Sequence, residues 1–109
     1  MKAKHIQKGK MIDYVNSTGE KINFGDVIVV GSIVAVAAED IAAGATGSVA
    51  TEDVYEVEKD ASTFAAGAVV YLDADAGKAT STSASNTRMG IAIAAAASAA
   101  GSVRVKLNA

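Results

Sequence analysis

Apolar and polar residues alternate over short stretches of this chain, and Gly, Ser or Asp separates most of these stretches. A period of two is typical of a strand with one buried face. In the last stretch, for example, Val103 and Leu107 are expected to point inward and Arg104 outward. The pattern predicts strands over residues 11–16, 27–30, 33–37, 47–51, 54–58, 69–73, 88–95 and 102–107, with a turn leading into a short strand within 73–80.

Two hairpins are expected from this order. Gly31-Ser32 separates 27–30 from 33–37, and Gly in the first position of a two-residue loop fits a type II′ turn. This hairpin is the most hydrophobic part of the chain. A second pair is expected between 47–51 and 54–58.

A turn sequence ending in Gly precedes four segments that contain Val. We expect the Gly to take a positive φ and the first residue of the turn to enter the core. The spacing is irregular, so this is one corner reused rather than a fixed-period repeat. No helix start follows these glycines, which disfavours a phosphate-binding loop. The four corners are Ile22-Asn-Phe-Gly25, Ile41-Ala-Ala-Gly44, Phe64-Ala-Ala-Gly67 and Ser98-Ala-Ala-Gly101. The glycines assigned to structural turns are Gly25, Gly31, Gly44, Gly47, Gly67 and Gly101.

The Ala-rich segment 91–101 is open to two interpretations. Ala favours a helix, whereas the β-branched Ile91 and Ile93 alternate with Ala at the period of a strand. We predict a strand over 89–95 and a turn over 97–101, with a short helix as the alternative. Residues 80–86 are Thr- and Ser-rich and are expected to form a mobile loop.

A chain of 109 residues predicts one domain. Half of the residues are apolar, but many are Ala and only five are aromatic, so Val and Ile must supply the core. Cys is absent, which excludes disulfides. We therefore expect an all-β protein, a small, partly open β-barrel or β-clip-like body over 11–109 with a flexible arm over 1–10.

Charge is concentrated at the start of the chain. Residues 1–10 contain Lys2, Lys4, Lys8 and Lys10 and no acid, whereas all 12 acidic residues follow. A basic arm on an acidic body is typical of an interaction tail, although an ordinary solvated terminus has the same composition. The longest stretch of low charge, 90–103, is shorter than the about 20 residues that a membrane span requires. We expect a soluble protein that binds neither membrane nor nucleic acid, since the other basic residues are scattered and no aromatic platform accompanies them.

Candidate catalytic and metal-ligating residues are few. The only His is His5, in the arm, and a nucleophile needs a firmly placed base. Asp73 and Asp75 could bind a hard cation, but the later acid that a calcium loop needs is missing. We expect no catalytic residue, metal site or cofactor, and so no enzyme.

One stretch has a partial likeness to a nucleotide site. The residues "AGKATST" are similar to a phosphate-binding loop, but Leu72 stands where its first Gly should be. Ala79 then follows Lys78 where that loop needs a hydroxyl.

Short motifs along nearly the whole chain match a known family in order and spacing. The chain resembles the capsid cement, or head decoration, proteins of tailed phages and prophages, some of which carry a recombinase label that the absent phosphate loop contradicts. The matching motifs are Ile6-Gln-Lys-Gly9, Ile12-Asp-Tyr14, the residues 25–30, Asp40 to Ala50, Val54-Tyr-Glu-Val57, Ala66-Gly67 with Val70-Tyr71, the strand at Gly90, and Val103 to Asn108.

The resemblance implies a structural protein that binds the outside of an expanded capsid and clamps neighbouring major capsid proteins. It implies that the protein is in the host cytoplasm before assembly and on the exterior of the virion afterwards. It also implies a homo-oligomer, for which a trimer is possible. It also implies an arm that adds a strand to the shell. The capsid-binding residues would then be Lys2, Lys4, His5, Ile6, Lys8 and Lys10.

Two other functions fit a small β domain. One is the binding of a carbohydrate or a cell surface, and the other is an accessory role in an enzyme complex. The arm separates these from a capsid clamp, because only the clamp should lose binding when residues 1–10 are removed.

Overall fold

The structure is a computed structural model that describes residues 1–109. The chain folds into strands connected by turns and loops. The expected all-β class is confirmed, and the helix considered for 91–101 is wrong. No helix long and apolar enough to cross a membrane is present. The strands are β1 Met11–Val15, β2 Val27–Val30, β3 Ile33–Ala37, β4 Thr46–Ala50, β5 Val54–Glu58, β6 Val69–Asp73, β7 Lys78–Thr80, β8 Thr87–Ala92 and β9 Ser102–Leu107.

The strands form two antiparallel sheets. The first has the order β1-β4-β3-β2 and the second the order β5-β9-β8-β6-β7. The second sheet curls into a half-barrel, in which a bridge between Lys59 and Ala79 brings the chain after β5 towards β7. This confirms the expected partly open barrel.

The two sheets repeat one pattern of strand pairing. Ile12 pairs with Val49 across β1 and β4, and Tyr55 pairs with Val105 across β5 and β9. Ala37 pairs with the same Val49, and Ala92 with the same Val105. Residues 11–50 and 54–107 are therefore two halves of the same topology. They differ in the central hairpin, where the second half carries β7 and the polar loop 81–86 in place of the tight turn at 31–32.

Each half contains two of the corners, joined through their opening residues. Ile22 and Ile41 exchange two backbone hydrogen bonds of 2.9 and 2.7 Å, and Phe64 and Ala96 exchange two of 2.9 Å. Ile22, Ile41 and Phe64 are all buried, as predicted. Three corners have the expected positive φ, at Gly25, Gly44 and Gly67.

The fourth corner is shifted from its predicted position. It opens at Ala96 rather than Ser98, because Ala96 is the bridge partner of Phe64. Its turn is closed by a bond from the Ala100 N–H to the Ala97 carbonyl. Ala99 therefore occupies the glycine position, and Gly101 follows the turn without a positive φ. The turn role assigned to Gly101 is wrong.

Two other predictions are also wrong. Strands β4 and β5 do not form a hairpin, since β4 pairs with β1 and β3 and β5 pairs with β9. The chain crosses from one sheet to the other between them, with Asp53 at a φ of 86°. Gly47 lies within β4 rather than in a turn. A Cβ there would collide with the Ile41 side chain, so close packing explains this glycine.

The apolar residues form two clusters. The larger contains 12 buried residues, among them Phe64, Val70 and Val105, and fills the half-barrel. Val34 and Val36 of the first sheet also belong to it, so it joins the two halves. The smaller cluster contains five buried residues on the other face of the first sheet.

Candidate functional site

The arm lies outside the body of the protein. Residues 1–10 are all exposed, and Ile6 exposes 76% of its surface. No backbone–backbone hydrogen bond involves residues 1–9. The backbone groups of residues 1–8 are therefore free to pair with another molecule. The six predicted arm residues that share this exposure are Lys2, Lys4, His5, Ile6, Lys8 and Lys10.

The root of the arm is attached where the two halves meet. The Thr51 N–H donates to the Lys10 carbonyl at 2.9 Å, and the Thr51 hydroxyl donates to the Gly9 carbonyl. Lys10 Nζ lies 3.5 Å from Asp53 Oδ1, with both side chains exposed. These contacts fix the point at which the chain leaves the body, and residues 1–8 lie beyond it.

An open hollow adjoins this root, with a volume of about 680 Å³. Residues 51–54 line one side and residues 106–109 the other. Its lining mixes the acids Glu52 and Asp53 with Lys106 and with apolar side chains. No group of three His, Asp or Glu side chains is placed to hold a metal ion here or elsewhere in the chain.

A second groove, of about 640 Å³, lies between the two halves beside β2. Strand β2 pairs only with β3, so its outer edge carries unpaired backbone groups. Asp26, Glu56 and Glu58 line the groove against a single base, Lys78. The groove thus combines an open strand edge with an excess of negative charge.

Two carboxylates have lowered pKa values, and both stabilise loops. The pKa of Asp40 is lowered by the Phe24 N–H, which donates at 2.8 Å, and by the neighbouring Lys21. The pKa of Asp60 is lowered by the hydroxyls of Ser62 and Thr80 and by the Ser62 N–H. Both groups hold loops at the ends of strands, so their shifts reflect structural hydrogen bonds.

Sequence reasoning missed an apolar surface on the first sheet. Ile12, Tyr14, Ile28 and Val30 pack against the smaller cluster while remaining partly exposed. The available signal was the uninterrupted apolar run of β2, Val27 to Val30, because a strand with one solvated face should alternate. We call these four residues and Ile33 the open face.

Comparison with known protein families identifies the chain's family. A family model described as phage cement protein matches residues 6–107. No curated protein and no solved structure matches the chain. The matched range begins at Ile6 in the arm and ends with β9, so it includes both halves of the body.

Proposed function

The chain belongs to the phage cement protein family, and on this premise we propose that it binds the outer surface of the expanded head and stabilises the contacts between major capsid proteins. A capsid cement role follows from the family. The observation that carries the finer proposal is the arm, which is basic and exposed and whose residues 1–8 have no hydrogen-bonded backbone group. The family is structural, and we infer that the chain is not an enzyme.

The arm has the properties of a strand that pairs with another sheet. Unpaired N–H and carbonyl groups can extend the edge of a sheet in the shell, which gives affinity that does not depend on sequence. Lys2, Lys4 and Lys8 would be attracted to acidic shell surface and would mainly speed the encounter. Ile6 offers a large, exposed aliphatic side chain for a pocket between shell subunits.

The body would act as the rigid part of the clamp. Its corners and paired sheets hold the arm root at Thr51 in a fixed place, so an arm bound to one shell subunit holds the body against the next. Many such sites on one particle would together stabilise the shell. We infer that the protein is in the host cytoplasm before assembly and on the capsid exterior afterwards, and that it acts as a homo-oligomer, with a trimer the expected form.

Co-sedimentation with expanded shells of major capsid protein tests this function. The full chain should sediment with the shells, and a chain lacking residues 1–8 should bind at least about tenfold more weakly. The deletion stops before Gly9 so that the contacts to Thr51 remain. Equal binding by the truncated chain would contradict the assigned role of the arm, and no binding by either chain would contradict the proposed function.

A matched pair of variants distinguishes the contribution of the arm lysines to binding from the effect of the protein's overall charge. Replacing Lys2, Lys4 and Lys8 by Gln should slow binding at low salt and reduce its salt dependence. Replacing Lys78, Arg104 and Lys106 of the body by Gln removes the same charge and should have a smaller effect. Bound shells should also rupture at a higher temperature than bare shells.

A further inference from the structure

The two halves bury the same sheet face to different extents. The strand pairing makes Ile28 equivalent to Val70 and Val30 equivalent to Leu72. Val70 is 0% exposed and Leu72 is 7% exposed, whereas Ile28 and Val30 are only partly buried. The corner residues beneath them also correspond, with Ile22 in the place of Phe64. Along the central hairpin, this apolar face is therefore sealed at β6 in the second half and open at β2 in the first.

The apolar face of the second half is covered by residues that lie outside the four strands of that half that have equivalents in the first half. Val34 and Val36 belong to its cluster and Val27 packs against it, all three from the opposite face of the first sheet. Ala79 of the added strand β7 completes the cover. We call Val27 and Val36 the lid. The smaller cluster of the first half contains no residue from the second half, so it has no such lid.

The second half carries its own copy of the lid, and that copy is unused. Val27 pairs with Val36 in the first sheet, and the equivalent pair in the second sheet is Val69 with Ile91. Val27 and Val69 are both partly buried, but Val36 is 5% exposed whereas its equivalent Ile91 is only partly buried. Each molecule thus presents an open face on the first half and a lid pair that covers nothing on the second half.

We propose that two copies of the chain associate by docking the Val69–Ile91 lid of one onto the open face of the next. The occupant is a second copy because it carries an apolar pair equivalent to the pair that covers this face inside the molecule. The open face holds no charged side chain, and burying its partly exposed Ile and Val residues stabilises the contact by the hydrophobic effect. A contact between unlike surfaces is heterologous, so it can be repeated and can close into a ring.

This inference rests on the proposed self-association and identifies the two surfaces that form the contact. The contact involves only copies of this chain, so it can be tested in solution without shells and separately from capsid binding. A chain that binds shells but fails the tests below would contradict only this inference. A chain that self-associates as described but ignores shells would contradict only the capsid function.

Sedimentation velocity on paired variants tests the contact. The full chain should form oligomers that dissociate on dilution, and Val30→Lys and Ile91→Lys should each sediment as monomers. An equimolar mixture of the two variants should form dimers, because each retains the surface that the other lacks. The control Val15→Lys lies on the opposite face of the first sheet, where Val15 is 59% exposed, and should associate like the unaltered chain.

Cross-linking gives a second measurement on milder variants. The chain has no Cys, so Ile28→Cys and Ile91→Cys each introduce a single thiol. A short bismaleimide should link the mixture into dimers and should link neither variant with itself. Far-UV circular dichroism would verify that all variants fold, with Val30→Thr and Ile91→Thr replacing any lysine variant that does not. The inference is overturned by a full chain that stays monomeric at all concentrations, by a mixture that remains monomeric, or by efficient Ile28→Cys self-linking.

Discussion

Asn16 and Lys59 occupy the same position in the two halves, directly after the first strand, and both are buried at 0% and 5% exposure. The Asn16 amide donates to the carbonyls of Glu20 and Ile41 at 2.6 and 2.9 Å. The Lys59 ammonium donates to carbonyls in the equivalent loop. Each half therefore places one buried donor among the backbone carbonyls of its corner loops, where its own polar group is satisfied.

Replacing the buried Lys59 should destabilise the protein more than replacing an exposed lysine. Its Nζ donates to the carbonyls of Asp60 and Ser62 at 2.9 and 2.7 Å. Lys59→Met keeps the length of the side chain but leaves these carbonyls unpaired, which should lower the free energy of unfolding by about 1–3 kcal/mol. Urea denaturation measures this change. Lys106→Met, at an exposed position, is the control, and equal effects of the two variants would contradict the structural role of Lys59.

Adding one methyl group at Gly47 should also be costly. A Cβ there would collide with Cγ1 and Cδ1 of Ile41, and overpacking costs about 1–3 kcal/mol. Gly47→Ala should lower the denaturation midpoint, and combining it with Ile41→Val should cost less than the sum of the two single changes. Gly101→Ala, which meets nothing within 4 Å, should be close to neutral. A neutral Gly47→Ala would refute the packing explanation.

Asn108 should contribute to the joint between the halves. Its Nδ2 donates to the carbonyls of Val34 and Thr51 at 3.0 and 2.7 Å, and its φ is 55°. Asn108→Gly removes the side-chain hydrogen bonds but still allows the positive φ. Asn108→Ala removes the same bonds and also disfavours the positive φ. Both variants should be less stable in thermal unfolding, Ala more than Gly. If Gly matched the original chain, the side-chain bonds would contribute nothing.

Stability should fall in acid partly because of Asp60. Its pKa in the folded state is below the ordinary value of 3.8, chiefly through hydrogen bonds from the hydroxyls of Ser62 and Thr80 and from the Ser62 N–H. A carboxylate with a lowered pKa stabilises the fold at pH above its unfolded pKa, and this stabilisation is lost as the pH falls through the folded value. Asp60→Asn should be less stable at neutral pH and should lose less stability between neutral pH and pH 3. Asp75→Asn, at an exposed position, is the control, and parallel curves for Asp60→Asn and the original chain would contradict the assignment.

The sequence by itself determined the local elements. The alternation of apolar and polar residues predicted most strands to within a residue or two. It could do so because successive side chains of a strand point to opposite faces, which leaves a pattern in neighbouring residues. The three glycine corners at 25, 44 and 67 were predicted for the same reason, since a positive φ selects glycine locally. The basic arm was visible in the composition of the first ten residues.

Only the tertiary structure decided which strands are partners. Alternation alone could not assign 54–58 to β9 rather than to β4, because the pairing joins residues about fifty positions apart along the chain. The duplication was hidden for the same reason: the inserted β7 region breaks any constant period. The position of Ala96 opposite Phe64, the burial of Lys59 and the uneven cover of the two equivalent faces likewise depend on contacts between distant segments. Such contacts arise from how the sheets pack in space, which no local pattern of residues records.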